Sequence, residues 1–322
     1  MFGVDQIELL LFFRQISLAV AGASAFWGVI FLFIKKEFLE TETIMWQAAG
    51  QKLLWIFLPA IILYAISWVS LAVSLCAFCA DAHEGISLAH NRAELTDSMT
   101  AQYYFFIALM LIAGASVIKF FVARKLFFAN LKWFYGISFI MISIILIYPW
   151  SGTESLWQSV SSSLHNWHSI LTLGSVIIVD FLYHTLRGNL TPLLSKIFPI
   201  ITKAIWLGLG LDFLSSGLVF SEAFILTDKL LFVQTVIGII IINGVFLSGP
   251  LARAIINLKK INGLVSLSGA ISLASWVSIT ALDGFRSITP SYIELAVFYL
   301  GFIGVLFIAN KVLDKTLLQS RP

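Results

Sequence analysis

The sequence predicts an all-α integral membrane protein, and three observations predict it. Hydrophobic residues make up 59% of the 322 residues and charged residues only 11%, with a mean hydropathy of +0.96; soluble domains carry about 25% charged residues. Stretches of about 20 mostly apolar residues, the length of a bilayer-crossing helix, recur along the chain. The basic residues gather in alternate loops between those stretches. Strands are excluded because an open strand edge finds no hydrogen-bond partner in lipid.

Nine spans follow in order: 9–34, 53–78, 101–123, 133–150, 165–186, 204–221, 230–250, 262–282 and 291–310. Asp5, Glu8 and Arg14 sit at the start of the first and can pair locally. The second runs from Lys52 to the apolar SLCAFCA. The third carries Lys119 close to its end, and the fourth opens on LKWFYG, whose rings suit a membrane interface. The fifth holds His165, His168, Asp180 and His184. The sixth, IWLGLGLDFLSSGL, places Gly208, Gly210 and Gly217 beside Asp212, Ser215 and Ser216, and small residues let helices approach closely. The seventh follows Asp228 and Lys229 and carries Asn243, and two further apolar spans complete the count.

Fifteen of the twenty Lys and Arg residues fall in one set of alternate loops or the C-terminal tail, from Lys35 and Lys36 through Arg124, Arg187 and Arg253 to Arg321. The other loops hold Arg92, Lys229 and Arg286, each near an acid. The positive-inside rule then puts the N-terminus outside and the C-terminus in the cytoplasm of a bacterial inner membrane. A cleaved signal peptide is not expected, since no basic region precedes the first apolar run. The small net charge of +3 gives no sign of nucleic-acid binding.

An internal repeat is expected. Lys52-Leu53-Leu54-Trp55 and Lys203-Ala204-Ile205-Trp206 stand 151 positions apart, and the same offset carries Lys36 onto Arg187. Lys125 and Lys132 fall on Arg253 and Lys260 at an offset of 128. Spans one to four would thus repeat as five to eight, in parallel, as in some transporters. The units are 1–150, with an outer Cys/His loop at 76–100, then 151–286, then an extra C-terminal helix in 287–322. The difference in offsets is accommodated by an insertion near CADAHEGISLAHNRAELTDSMT.

Two polar groupings follow from this topology. Cys76, Cys79, His83, His90, His165 and His168 fall at the outer face. Thiolate and imidazole bind zinc and copper, and imidazole binds haem. The bland alternatives are interfacial histidines and small apolar cysteines, or a Cys76–Cys79 disulfide. Deeper, Asp180, His184, Asp212 and Asn243 are expected in one inner layer, with Lys119 as counter-ion, while the first half has Val29, Ile61 and Ala115 at the matching positions of Asp180, Asp212 and Asn243. Ionisable groups cost about 2.5–3.5 kcal/mol at a helix centre, so the layer should face the bundle interior. It reads either as an ion or proton site or as interhelical glue.

Spans five to seven resemble the multi-spanning CopD-type copper-resistance proteins and related uncharacterised bacterial families. The resemblance rests on the opening His165 and His168 with Gly174, on SSGLVF, and on DKLLFVQTVIGIIIINGVFL. It covers about a third of the chain and implies copper handling, with His165 and His168 as candidate ligands. Three functions are open at this point. The first is a transporter-like protein moving copper or protons. The second is a haem-b or metal-bearing electron carrier using the outer histidines. The third is a non-catalytic membrane subunit or assembly factor, in a complex or a homo-oligomer. No nucleophile–base pair points to an enzyme.

Overall fold

The computed structural model describes residues 6–33, 40–81, 111, 114, 124–147, 156–186, 191–219, 227–251, 262–285 and 288–319. They form eight helical rods, and no strand occurs among them. In chain order these are α1 (Gln6–Phe33), α2 (Glu40–Asp81), α3 (Arg124–Ile147), α4 (156–186), α5 (Thr191–Val219), α6 (228–251), α7 (Asn262–Gly284) and α8 (Tyr292–Gln319). α4 joins Leu156–Ser169 to Ser175–Leu186 through a π turn at Ile170–Gly174, and α6 ends in a second π turn at Leu247–Leu251.

Among the described residues six helices are long and apolar enough to cross a membrane, with α1, α2, α5, α6, α7 and α8 supplying them. Their outward faces carry large apolar side chains that no neighbour covers, among them Trp55, Ile66, Leu207, Ile242, Val297 and Ile308. A water-soluble bundle would turn such faces inward. The architecture is that of an all-α, multi-pass membrane protein. The expected span 101–123 lies outside the described residues apart from Leu111 and Gly114.

Four helices start well before their expected spans: α2 by 13 residues (53 − 40), α3 by 9 (133 − 124), α4 by 9 (165 − 156) and α5 by 13 (204 − 191). α4 begins at Leu156 because the amphipathic LWQSVSSSL stretch continues the helix below hydrophobic threshold. α5 begins at Thr191, with Pro192 in its first turn, where a missing N–H costs nothing. Lys203 therefore lies inside α5, not at its start.

α1 is the central helix and packs on α2, α3, α4 and α7. Its buried residues near mid-helix are mostly small, Ala19, Ala21, Ala23, Ser24 and Ala25, with Trp27 and Phe31 buried further down. Where it meets α4, a Cβ on Gly174 would collide with the Ala19 carbonyl and stand 2.6 Å from the Ala23 Cβ. Only glycine allows that approach. The π turn sits at this crossing, and the Trp27 indole N–H donates to Ser175 at 2.9 Å just past it.

Two apolar cores flank the crossing. One joins α1, α2 and α3 to α4 and α5 around Trp27, Phe57, Tyr135 and Ile178. The other joins α6, α7 and α8 to α4 and α5 around Val236, Trp276 and Tyr299. The end of the bundle where α1 begins is called upper below, and the opposite end lower. At the upper end α8 opens with a capping box in which Ser291 and Glu294 bond reciprocally. Lys229 ties α6 to the Phe285 carbonyl there.

Candidate cation site

At the upper end of α4, His165 and His168 lie three residues apart and share one helix face, with ring centroids 5.1 Å apart. Asp212 of α5 reaches both. Its Oδ1 lies 3.5 Å from His165 Nδ1 and 3.4 Å from His168 Nδ1. The other His165 nitrogen, Nε2, lies 3.4 Å from Asp283 Oδ2 at the top of α7, and the Gln15 amide of α1 reaches the same Asp283 oxygen at 3.5 Å. Four helices thus converge on one polar cluster. One nitrogen of each ring and one Asp212 oxygen all lie within 4.8 Å of one another, a set that can hold a metal ion.

The cluster is graded in exposure. The His168 side chain is 6% exposed and Asp212 18%, whereas His165 and Asp283 are 38% and 47% exposed. His168 and Asp212 form the floor, and His165 and Asp283 the mouth. His168 Nδ1 also approaches the His165 carbonyl at 3.1 Å, while its Nε2 is buried with no hydrogen-bond partner among the described residues. An unpaired buried polar atom costs about 1–3 kcal/mol, which a bound proton or cation can offset.

The π turn begins two residues after His168. Hydroxyls gather the carbonyls around it: Ser169 donates to His165 at 3.4 Å and Thr172 to His168 at 2.7 Å. Single π turns are frequent at functional sites. Against this stretch Gly208 of α5 packs so closely that a Cβ there would stand 2.7 Å from Thr172 Cγ2. That contact sets the antiparallel register of α4 and α5 and brings Asp212 level with His168.

Lower down, α4 to α8 line a partly open cavity. Its polar lining comes from Asp180, His184, Thr202, Ser266, Ser272 and Asn310, and its aromatic lining includes Trp206 and Trp276. His184 Nε2 lies 3.8 Å from Asp180 Oδ1, one helical turn apart. Asp180 and Asn310 flank Gly269, where a Cβ would stand 3.3 Å and 3.9 Å from their polar atoms. Asn310 also donates to the Ser266 carbonyl at 3.4 Å.

The expected inner layer is therefore split. Asp212 is not level with Asp180; it belongs to the upper cluster. Measuring its depth from Lys203 fails because α5 starts twelve residues before Lys203 (203 − 191). Asp180 lies twelve residues below His168 (180 − 168), about 18 Å along the axis. Asp180 lines the lower cavity together with Phe198 and Thr202 of α5. Asn243 does lie near the lower cavity, but it is closed on α7: its amide donates to the Ser268 carbonyl at 3.0 Å and its oxygen accepts from Ser268 Oγ at 2.5 Å.

His165 and His168 project side by side from one helix, so they do not oppose each other as the axial pair of one haem. Cys76 and Cys79 fall in the last turns of α2, but their side chains, like His83, His90 and Lys119, lie outside the described residues. Sequence reasoning missed Asp283, one residue before the end of α7, and Asn310, buried nine residues before the end of α8 (319 − 310). The signal for Asp283 was its place at the same membrane face as His165. Comparison with protein-family models, curated proteins and solved structures finds no match.

Proposed function

We propose that this chain is a transporter-like membrane protein that takes up a divalent transition-metal cation of the copper or zinc type at His165, His168 and Asp212. One observation carries the reading. A tetrahedral ion bound at about 2.0–2.1 Å holds its ligand atoms about 3.3–3.4 Å apart. The Asp212 oxygen stands 3.5 and 3.4 Å from the two imidazole nitrogens, too long for good hydrogen bonds and close to that edge length. Imidazole with carboxylate suits Cu(II) and Zn(II). The sequence resemblance to CopD-type proteins points to copper. Asp283 fits the role of the carboxylate that holds a metal-binding histidine in place.

A proton-handling reading has its own support: His165 reaches one carboxylate through each ring nitrogen. The haem-carrier reading lacks an opposed histidine pair, and the subunit reading predicts neither metal binding nor flux. Isothermal titration of the detergent-purified full chain separates them. Zn²⁺ binding near 1:1 that is lost in Asp212→Asn supports the metal site. Absence of Zn²⁺ and Cu²⁺ binding in the parent chain, with proton flux intact in liposomes, leaves the proton reading standing instead.

The finer architecture belongs to the same proposal. Nine spans are supported by α2 finishing at the upper end while α3 starts at the lower, ends that one further crossing within 101–123 would join. The four-plus-four repeat is supported at the α1–α4 crossing, where Ala23 touches Gly174 (174 − 23 = 151), the offset read from sequence. A two-fold axis brings equivalent residues together in that way. The distribution of basic residues supports the upper end as the outer face of a bacterial inner membrane.

A further inference from the structure

We infer that the upper cluster and the lower cavity are two stations of one cation path, parted by the indole of Trp276. The inference rests on the cluster being a cation site. Trp276 is 2% exposed and touches both stations: its ring lies 5.8 Å from the His168 ring, and it lines the lower cavity. On α7 it stands seven residues below Asp283 (283 − 276) and seven above Gly269 (276 − 269), the residue that Asp180 and Asn310 flank. Each interval is about 10 Å.

The cavity reaches up to the cluster on the other helices as well. Leu209, three residues below Asp212 on α5, lines the cavity ceiling, as does Val176 on α4. The gap between Asp212 and that ceiling is therefore about one helical turn. Trp276 fills it with a large apolar ring. Its buried indole N–H has no hydrogen-bond partner among the described residues, although the cavity it lines is polar on its far side. Apolar constrictions of this kind close a path by excluding water. A divalent cation that sheds its ligands at His168 and Asp212 would next meet Asp180, with His184 one turn below. A carboxylate at each station keeps a hydrated cation solvated on both sides of the indole.

The test uses the full chain in liposomes loaded with a Zn²⁺-sensitive dye, with Zn²⁺ affinity measured in parallel by titration in detergent. Trp276→Ala is expected to raise Zn²⁺ influx by about tenfold, as removing a constriction does, with affinity unchanged. Trp276→Phe keeps a smaller apolar ring in place and is expected to raise influx less than Trp276→Ala does. Asp180→Asn, an isosteric change, is expected to cut influx about tenfold with affinity at the upper cluster unchanged. If Trp276→Ala and Asp180→Asn bind Zn²⁺ and pass it as the parent does, the path is overturned while the cluster stands. If Trp276→Ala does not fold, unchanged influx in Asp180→Asn overturns the path alone. If the parent binds no Zn²⁺, the cluster reading falls and takes the path with it.

Discussion

Asp283→Asn tests whether the upper cluster is organised for a cation. Asp283 does not touch the proposed ion; it holds His165 from behind, with Oδ2 3.4 Å from Nε2. A carboxylate in that place fixes the tautomer that points the other nitrogen at the metal and raises its basicity. Removing such a partner typically weakens metal affinity by about 10–100-fold, or about 1.4–2.7 kcal/mol. Asp283 is 47% exposed and its contact with His165 is long, so the expected loss lies at the low end, about tenfold. Asp212→Asn and His168→Ala remove direct ligands from the buried floor and are expected to lose more. Competition with a Zn²⁺ chelator dye, on the detergent-purified full chain, measures all three. An unchanged affinity in Asp283→Asn would refute the orienting role, and an unchanged affinity in Asp212→Asn would refute the site.

Other expectations concern proton linkage and packing. Zn²⁺ binding should release protons and weaken as pH falls, because imidazole ligates only when neutral; titrations in buffers of different ionisation heat count the protons. Gly174→Ala should destabilise the chain by about 1–3 kcal/mol, since the new methyl meets the Ala19 carbonyl and Ala23 and the backbone cannot yield. A thermal midpoint equal to the parent's would contradict the tight α1–α4 crossing. Asn243→Ala and Ser268→Ala should show a coupling of about 0.6 kcal/mol, and at most about 1.7, in a double-mutant cycle; additive effects would break the reciprocal pair. Tyr135→Phe should cost about 0.5–1.5 kcal/mol, because the hydroxyl donates to Gly50 at 2.8 Å in a fully buried place. Chemical denaturation in mixed micelles reads that difference.

Much of the helical plan was legible because lipid leaves the backbone one solution and hydropathy marks where it applies. The starts of α4 and α5 were less legible. Leu156–Ser169 is only weakly hydrophobic, and Lys196 and Lys203 sit within α5 although basic residues usually mark a span's end. That error displaced Asp212 by several turns. The pairing of Asp180 with His184 was legible because four residues on a helix make one turn. Asp283 was not, because nothing local ties the top of α7 to the top of α4.

The sequence by itself determined that the chain is a bundle of long apolar helices carrying a few costly polar groups. Those properties depend on composition and on spacing within one helix. Only the tertiary structure decided which polar groups meet. Gly208 against Thr172 fixes the slide of α5 along α4, and Gly174 against Ala19 and Ala23 fixes the approach of α1. A register set by such contacts between distant segments puts Asp212 beside His165 and His168, and leaves Asp180 with Asn310 across Gly269. Spacing along a single helix carries no information about that slide, because close packing of one helix on another is what sets it.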